Sequence, residues 1–128
     1  MRALIIGIDG QDGFYLEEFL RSKGYEVYGV VRKKTGLREE PNRLESVRYR
    51  QIFADLMDFS SIVNAIREAN PDEIYNFAGQ SEIPLSWHQP IITAQVNGVG
   101  VILLLEAVRL LNPKIKLFQA SSSDCLLY

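Results

Sequence analysis

The amino-acid sequence predicts an α/β domain built on an open, doubly wound parallel sheet of five strands in the order 3-2-1-4-5. Three observations lead there. Apolar, β-rich runs alternate with helical stretches along nearly the whole chain, and strands separated by helices of about ten or more residues imply right-handed parallel crossovers. The first apolar run, Ala3-Leu4-Ile5-Ile6, passes at once into the glycine turn Gly7-Ile8-Asp9-Gly10-Gln11-Asp12-Gly13, followed by the amphipathic stretch Tyr15-Leu16-Glu17-Glu18-Phe19-Leu20. Finally, 128 residues, 47% of them hydrophobic, suffice for one domain with its own core.

Each element has its own local reason. Residues 3–6 make the first strand and residues 13–23 the first helix, which Gly24 stops in the place a helix C-cap prefers. Residues 26–31 are β-rich. Residues 32–48, with Gly36, Pro41, Asn42 and many basic side chains, read as a long loop or an irregular helix. Residues 49–53 form strand three. Ser60 or Ser61 is placed to cap a second helix that ends at Asn70-Pro71, because proline cannot continue it. Residues 73–77 give strand four, 78–90 a polar, proline-bounded loop, 91–111 one long helix and 116–119 strand five. The long helix is apolar on every side across Val101-Ile102-Leu103-Leu104-Leu105. Such a helix must be covered all round: one face lies on the sheet and the other needs a neighbouring helix, from later in a longer chain or from a partner subunit, with a wide core stripe of modest exposure as the alternative. A homo-oligomer through helix 91–111 is expected.

Composition narrows the function classes. A formal charge of −2 gives no reason to expect nucleic acid. Gly7, Asp9 and Asp12 cut the first apolar run far short of a membrane segment. Cys125 is the only cysteine, so no internal disulfide forms and a reducing, cytoplasmic setting is expected. His88, the only histidine, stands beside Trp87 without a metal-ligating companion.

The chemistry-bearing candidates cluster at strand ends. Glycines in the first turn let backbone N–H groups at a helix N-terminus approach a pyrophosphate without Cβ obstruction. In sheets of this kind a dinucleotide binds at the carboxyl edge, so Gly7, Gly10, Gln11, Asp12 and Gly13 are the expected cradle. Strand two runs out into Val31-Arg32-Lys33-Lys34 with no acid until Glu39. A basic residue there accommodates a 2′-phosphate, where an acid would bind the ribose hydroxyl, so Arg32 points to NADP; a solvated basic turn is the alternative. After strand three, Asp55 could accept from an adenine amino group while Leu56 packs on the ring, or Asp55 could simply cap a turn. After strand four, Phe77, Ala78, Gly79 and Ser81 offer mostly small residues to a nicotinamide-side ribose, with Phe77 also suited to the core. After strand five, Ala120-Ser121-Ser122-Ser123-Asp124 presents hydroxyls and a carboxylate, able to bond a substrate hydroxyl and move a proton, or equally to make a turn with a helix cap.

Taken together, these segments resemble the extended short-chain dehydrogenase/reductases, and among them the GDP-mannose 4,6-dehydratases most closely. The pieces are the Gly7–Gly13 turn, Gly29-Val30-Val31-Arg32, Ala54-Asp55-Leu56, Pro71-Asp72-Glu73-Ile74-Tyr75-Asn76 and Ala78-Gly79-Gln80-Ser81. Leu104-Leu105-Glu106-Ala107-Val108-Arg109 and Gln119-Ala120-Ser121-Ser122-Ser123 complete them, in family order across essentially the whole chain. The resemblance implies a Rossmann-like domain that binds NADP, and a nucleotide sugar as substrate. It implies hydride removal from C4 of the mannose ring, loss of water across C5 and C6, and hydride return to C6. Ser122 stands where the family bonds the sugar 4-hydroxyl and Asp124, one methylene shorter, where a glutamate takes the C5 proton. Asp9 and Ile6 stand where threonines are usual. The family's Tyr-x-x-x-Lys pair would fall beyond Tyr128, so residues 1–128 are expected to lack both turnover and the sugar-nucleotide-binding portion. A catalytically silent nucleotide-binding module, or another sugar-nucleotide epimerase or reductase, are the competing readings.

Overall fold

The computed structural model describes residues 1–31, 49–78, 91 and 98–120. Among these residues lie five strands and three helices: β1 (Arg2–Ile6), α1 (Gln11–Ser22), β2 (Glu26–Val31), β3 (Arg50–Phe53), α2 (Phe59–Ala69), β4 (Glu73–Asn76), α3 (Gly100–Leu111) and β5 (Lys116–Gln119). The strands form one sheet in the order β3-β2-β1-β4-β5, every pairing parallel. This is the predicted order. β1 lies at the centre, and its register sets Ile6 level with Val30 on one side and Asn76 on the other. The carboxyl ends of these three strands therefore open onto a common edge.

Side-chain alternation along β1 divides the core into two layers. Leu4 and Ile6 join Tyr28, Val30, Ile52 and Ile74 beneath α2 and α3, which supply Ile62, Ile66, Leu104 and Val108. Ala3 and Ile5 face the other way, with Ile8, Val27 and Leu20 of α1. Two covered faces explain why β1 reads as an unbroken apolar run.

Several boundaries differ from the sequence reading. α1 begins at Gln11, not at 13, because Gly10 serves as the N-cap. Its far end behaves as anticipated. Gly24 adopts φ +83°, the Gly24 amide donates to Arg21 O and the Tyr25 amide to Leu20 O, both at 3.0 Å. That is a Schellman closure, sealed by Tyr25 packing with the Leu20 cluster. α2 is capped by neither serine. Its N-cap is Asp58, whose carboxylate accepts from the Ser61 amide at 3.4 Å; Asp58 takes the role because it is the extended residue immediately before the first helical one, Phe59, whereas both serines lie inside the helix. α2 ends on Asn70 in the left-handed region, φ 42° and ψ 57°, just before Pro71. β3 begins one residue later and β4 ends one residue earlier than expected.

α1 also inverts part of its amphipathic pattern. Phe14, Tyr15 and Phe19 are exposed, whereas Glu17 is buried. Arg21 lies 3.6 Å from Glu17 Oε1. α3 buries Leu104, Ala107 and Val108 and leaves Ile102, Leu105 and Leu110 at least half exposed. Of the expected helix 91–111, residues 92–97 lie outside the described ones. Among the described residues no helix is long and apolar enough to cross a membrane.

Candidate functional site: the carboxyl edge of the sheet

The three glycines of the first turn meet three different constraints. Gly7 leaves β1 with φ +82°, and a Cβ there would stand 2.9 Å from the Ala78 amide nitrogen and 3.0 Å from the Phe77 carbonyl carbon. The turn is thus pressed against the end of β4. A Cβ on Gly13 would lie 2.6 Å from Ile8 Cα and 2.7 Å from Gly7 O, all backbone that cannot swing aside. Gly13 therefore lets α1 start directly on the turn.

Gly10 is different. Its amide donates to Gly7 O at 3.2 Å, and its dihedrals, φ −81° and ψ 173°, suit any residue. A Cβ there would meet only Gly7 O, at an ordinary 3.5 Å. No packing contact among the described residues excludes a side chain at position 10; glycine there suits the N-cap and leaves the turn open to a ligand. Among the described residues no side chain caps α1 beyond Gly10 itself, which has none to offer. Gln11, Asp12 and Gly13 fill the first helical positions, whose amides have no acceptor inside the helix. Free amides and the positive end of the helix dipole suit a diphosphate, and among the described residues no side chain stands over Gly10 within contact of a Cβ placed there.

Asp9 and Asp12 place two carboxylates on this turn, and Glu17 follows on α1. Asp9 is exposed, and burial together with the charges of Asp9 and Glu17 pushes the Tyr49 phenol up from its ordinary value; a hydrogen bond with Gln51 opposes them. Tyr49 itself packs where Gly29 leaves room, since a Cβ on Gly29 would lie 2.6 Å from its ring.

At the end of β3, Asp55 Oδ1 accepts from the Met57 amide at 3.0 Å, and the Asp55 amide donates to Ser61 Oγ at 3.0 Å. This is the turn-capping alternative for Asp55, realised. Leu56 is 6% exposed and belongs to the core under α2. Its side chain is committed inward, so it is the main chain of Leu56 that remains for a ligand at this edge.

At the end of β4, the Phe77 amide donates to Ile6 O at 2.8 Å. The Phe77 ring is half-buried against the α1-side core and lies 6.2 Å from that of Phe118. Ala78 donates its amide to Asn76 Oδ1 at 3.1 Å. Asn76, fully buried, also donates from Nδ2 to Gln119 Oε1 at 2.7 Å. Sequence reasoning missed this pair. The available clue was a polar residue closing each of two neighbouring strands.

The structure thus brings together the ends of β1, β2, β3 and β4, with Gly7, Gly10, Gln11, Asp12, Gly13, Asp55, Phe77 and Ala78. Arg32, Gly79, Ser81, Ser122, Asp124 and His88 lie outside the described residues. The described ones contain no cluster of three or more His, Cys, Asp or Glu side chains that could hold a metal ion.

Known proteins share both this arrangement and much of the sequence. The GDP-mannose 4,6-dehydratase of Vibrio cholerae serotype O1 is 42% identical over 132 residues, covering 95% of this chain and 35% of that protein. The human GDP-mannose 4,6 dehydratase is 41% identical over 133 residues, covering 95% and 36%. The chain therefore spans about a third of the length of these relatives. Among solved structures, a UDP-glucose 4-epimerase of Thermus thermophilus in complex with NAD superposes with a TM-score of 0.71 at 28% identity, over 86% of this chain and 34% of that one. The Bifidobacterium longum UDP-glucose 4-epimerase shares the fold, with a TM-score of 0.78 at 23% identity, over 96% of this chain and 37% of that one. Residues 4–126 match the family described as GDP-mannose 4,6 dehydratase, and with the parallel sheet, the glycine turn and this level of identity, the chain belongs to that family.

Proposed function

We propose that this chain is the cofactor-binding part of an NADP-dependent GDP-mannose 4,6-dehydratase, a lyase acting on a nucleotide sugar. The observation that carries the reading is Gly10, the N-cap of α1, where a side chain would meet no packed neighbour and no side-chain cap occupies the first amides among the described residues. A bound NADP would supply the hydride acceptor for C4 of the mannose ring and the donor for C6. The chain's own residues hold and orient it. The amides of Gln11, Asp12 and Gly13 receive the diphosphate, and Gly7 and Gly10 give it room. Arg32 grips the 2′-phosphate through its planar guanidinium. Asp55 and the main chain of Leu56 border the adenine, and Phe77, Ala78, Gly79 and Ser81 border the nicotinamide-side ribose. Ser122 bonds the sugar 4-hydroxyl and Asp124 accepts the C5 proton; positioned proton transfer of this kind contributes about 10²–10⁴-fold. Residues 1–128 contain no Tyr-x-x-x-Lys pair, and they span about a third of the relatives' length. The exposed apolar face of α3 suits association with a second copy, and the protein is read as a cytoplasmic oligomer.

Calorimetric titration tests the cofactor assignment. NADP is expected to bind more tightly than NAD, and Arg32→Ala to abolish the difference. Equal affinities in the unaltered protein would refute the 2′-phosphate reading.

A further inference from the structure

We propose that Asn76 and Gln119 are positioning residues: their paired side-chain amides hold the chain leaving β4 and the chain leaving β5 in one register against the Gly7 turn. The proposal rests on the dinucleotide reading above and extends it to two residues outside the cradle. Asn76 and Gln119 face each other across the parallel pairing of β4 and β5. Asn76 Nδ2 donates to Gln119 Oε1 at 2.7 Å, and Asn76 Oδ1 accepts from the Ala78 amide at 3.1 Å. Gln119 Nε2 donates onward to Ala120 O at 3.0 Å, and the Ala120 amide donates back to Asn76 O at 3.1 Å. Ala78 N is also the atom closest to where a Cβ on Gly7 would stand. One run of contacts therefore joins Gly7, Ala78, Asn76, Gln119 and Ala120.

Strand pairing alone does not call for this arrangement. The backbone ladder already holds β4 to β5 over four residue pairs, and an apolar residue at position 76 would bury more cheaply than an amide. What the amide pair adds is direction. Each amide has a donor end and an acceptor end, so a shift at Ala78 is passed to Ala120 instead of being absorbed by sliding apolar contacts. Ala78 leads into residues 79–81 and Ala120 into residues 121–124, which carry the cofactor-side and sugar-side roles assigned above.

Hydrogen exchange read by NMR on the 128-residue chain tests the clamp. Gln119→Met keeps the side-chain length and removes both of its bonds; Gln119→Glu keeps an oxygen for Asn76. Gln119→Met should speed exchange of the Ala78 amide about tenfold, the upper range for one released hydrogen bond, while Gln119→Glu stays near the unaltered rate. Unchanged exchange at Ala78 in Gln119→Met, or an equal rise across the β1 amides, would overturn the proposal. An NADP titration followed by amide shifts supplies the second readout. Shifts at residues 7–13 and at Ala120 are expected in the unaltered protein, and only the former in Gln119→Met. Ala120 shifts that persist in the variant would overturn the coupling. A folded, unaltered protein with no shifts at residues 7–13 would overturn the cofactor reading instead, and the exchange rates would still decide the clamp.

Discussion

Gly7, Gly10 and Gly13 are evenly spaced, yet only Gly7 and Gly13 are required by close backbone contact. At Gly13 any side chain strikes backbone atoms of Ile8 and Gly7. Gly13→Ala should therefore destabilise the protein by about 1–3 kcal/mol, the usual range for overpacking, measured as a lowered denaturant midpoint. Charge placement offers another residue-scale expectation, at the opposite edge of the sheet. The Tyr28 hydroxyl bonds Glu26 Oε1 at 2.9 Å, and the guanidinium groups of Arg2 and Arg50 lie 3.2 and 3.7 Å from its carboxylate. The Tyr28 hydrogen bond first, then Arg2 and Arg50, hold the Glu26 carboxyl below its ordinary value against the opposing effect of burial. A carboxyl depressed on folding stabilises the native state above its unfolded value of about 4.5 and loses that contribution as the pH falls through the folded value. Glu26→Gln should flatten the fall in melting temperature below that pH. An unchanged acid profile would show the cluster to be thermodynamically silent.

At the scale of elements, helix ends separate what was legible from what was not. The α1 terminus was readable because Gly24 supplies a left-handed dihedral that few other residues adopt. The α2 start was not, because Asp58, Ser60 and Ser61 are all competent caps in one short stretch, and only the backbone geometry chooses among them. Asp58→Ala should cost about 0.5–2 kcal/mol, as N-cap losses do; a smaller effect for Asp58→Ala than for Ser60→Ala would contradict the assignment. α3 combines a readable pattern with a surface the single chain does not cover. Ile102 is 64% exposed, Leu110 57% and Leu105 50%; Ile102 and Leu105 are neighbours three residues apart, and Leu110 lies about two turns beyond Ile102. If a second copy covers this face, Ile102→Glu with Leu105→Glu converts an oligomer to a monomer in light scattering. An unaltered protein that already runs as a monomer would contradict that reading.

For the whole molecule, alternation of strand and helix was enough to order the sheet, because parallel crossovers leave few topologies. Local patterns also marked the glycine turn. They could not reveal the Asn76–Gln119 pair, whose members are 43 residues apart in sequence. Nor could they separate an exposed Leu56 from a buried one, since an apolar residue at a strand end suits a ligand or a core equally. Both are tertiary outcomes. The central claim, that the carboxyl edge of this sheet cradles a dinucleotide diphosphate, has one direct test: calorimetric titration of NADP into the unaltered protein and into Gly10→Ala, with a thermal melt of each. The expected result is measurable binding that falls at least about tenfold in Gly10→Ala while that variant stays folded and loses no more than the roughly 0.5–2 kcal/mol of an N-cap change, a tenfold loss being about 1.4 kcal/mol of binding free energy. A well-folded protein that takes up no NADP, or a Gly10→Ala variant that binds it equally well, would contradict the account.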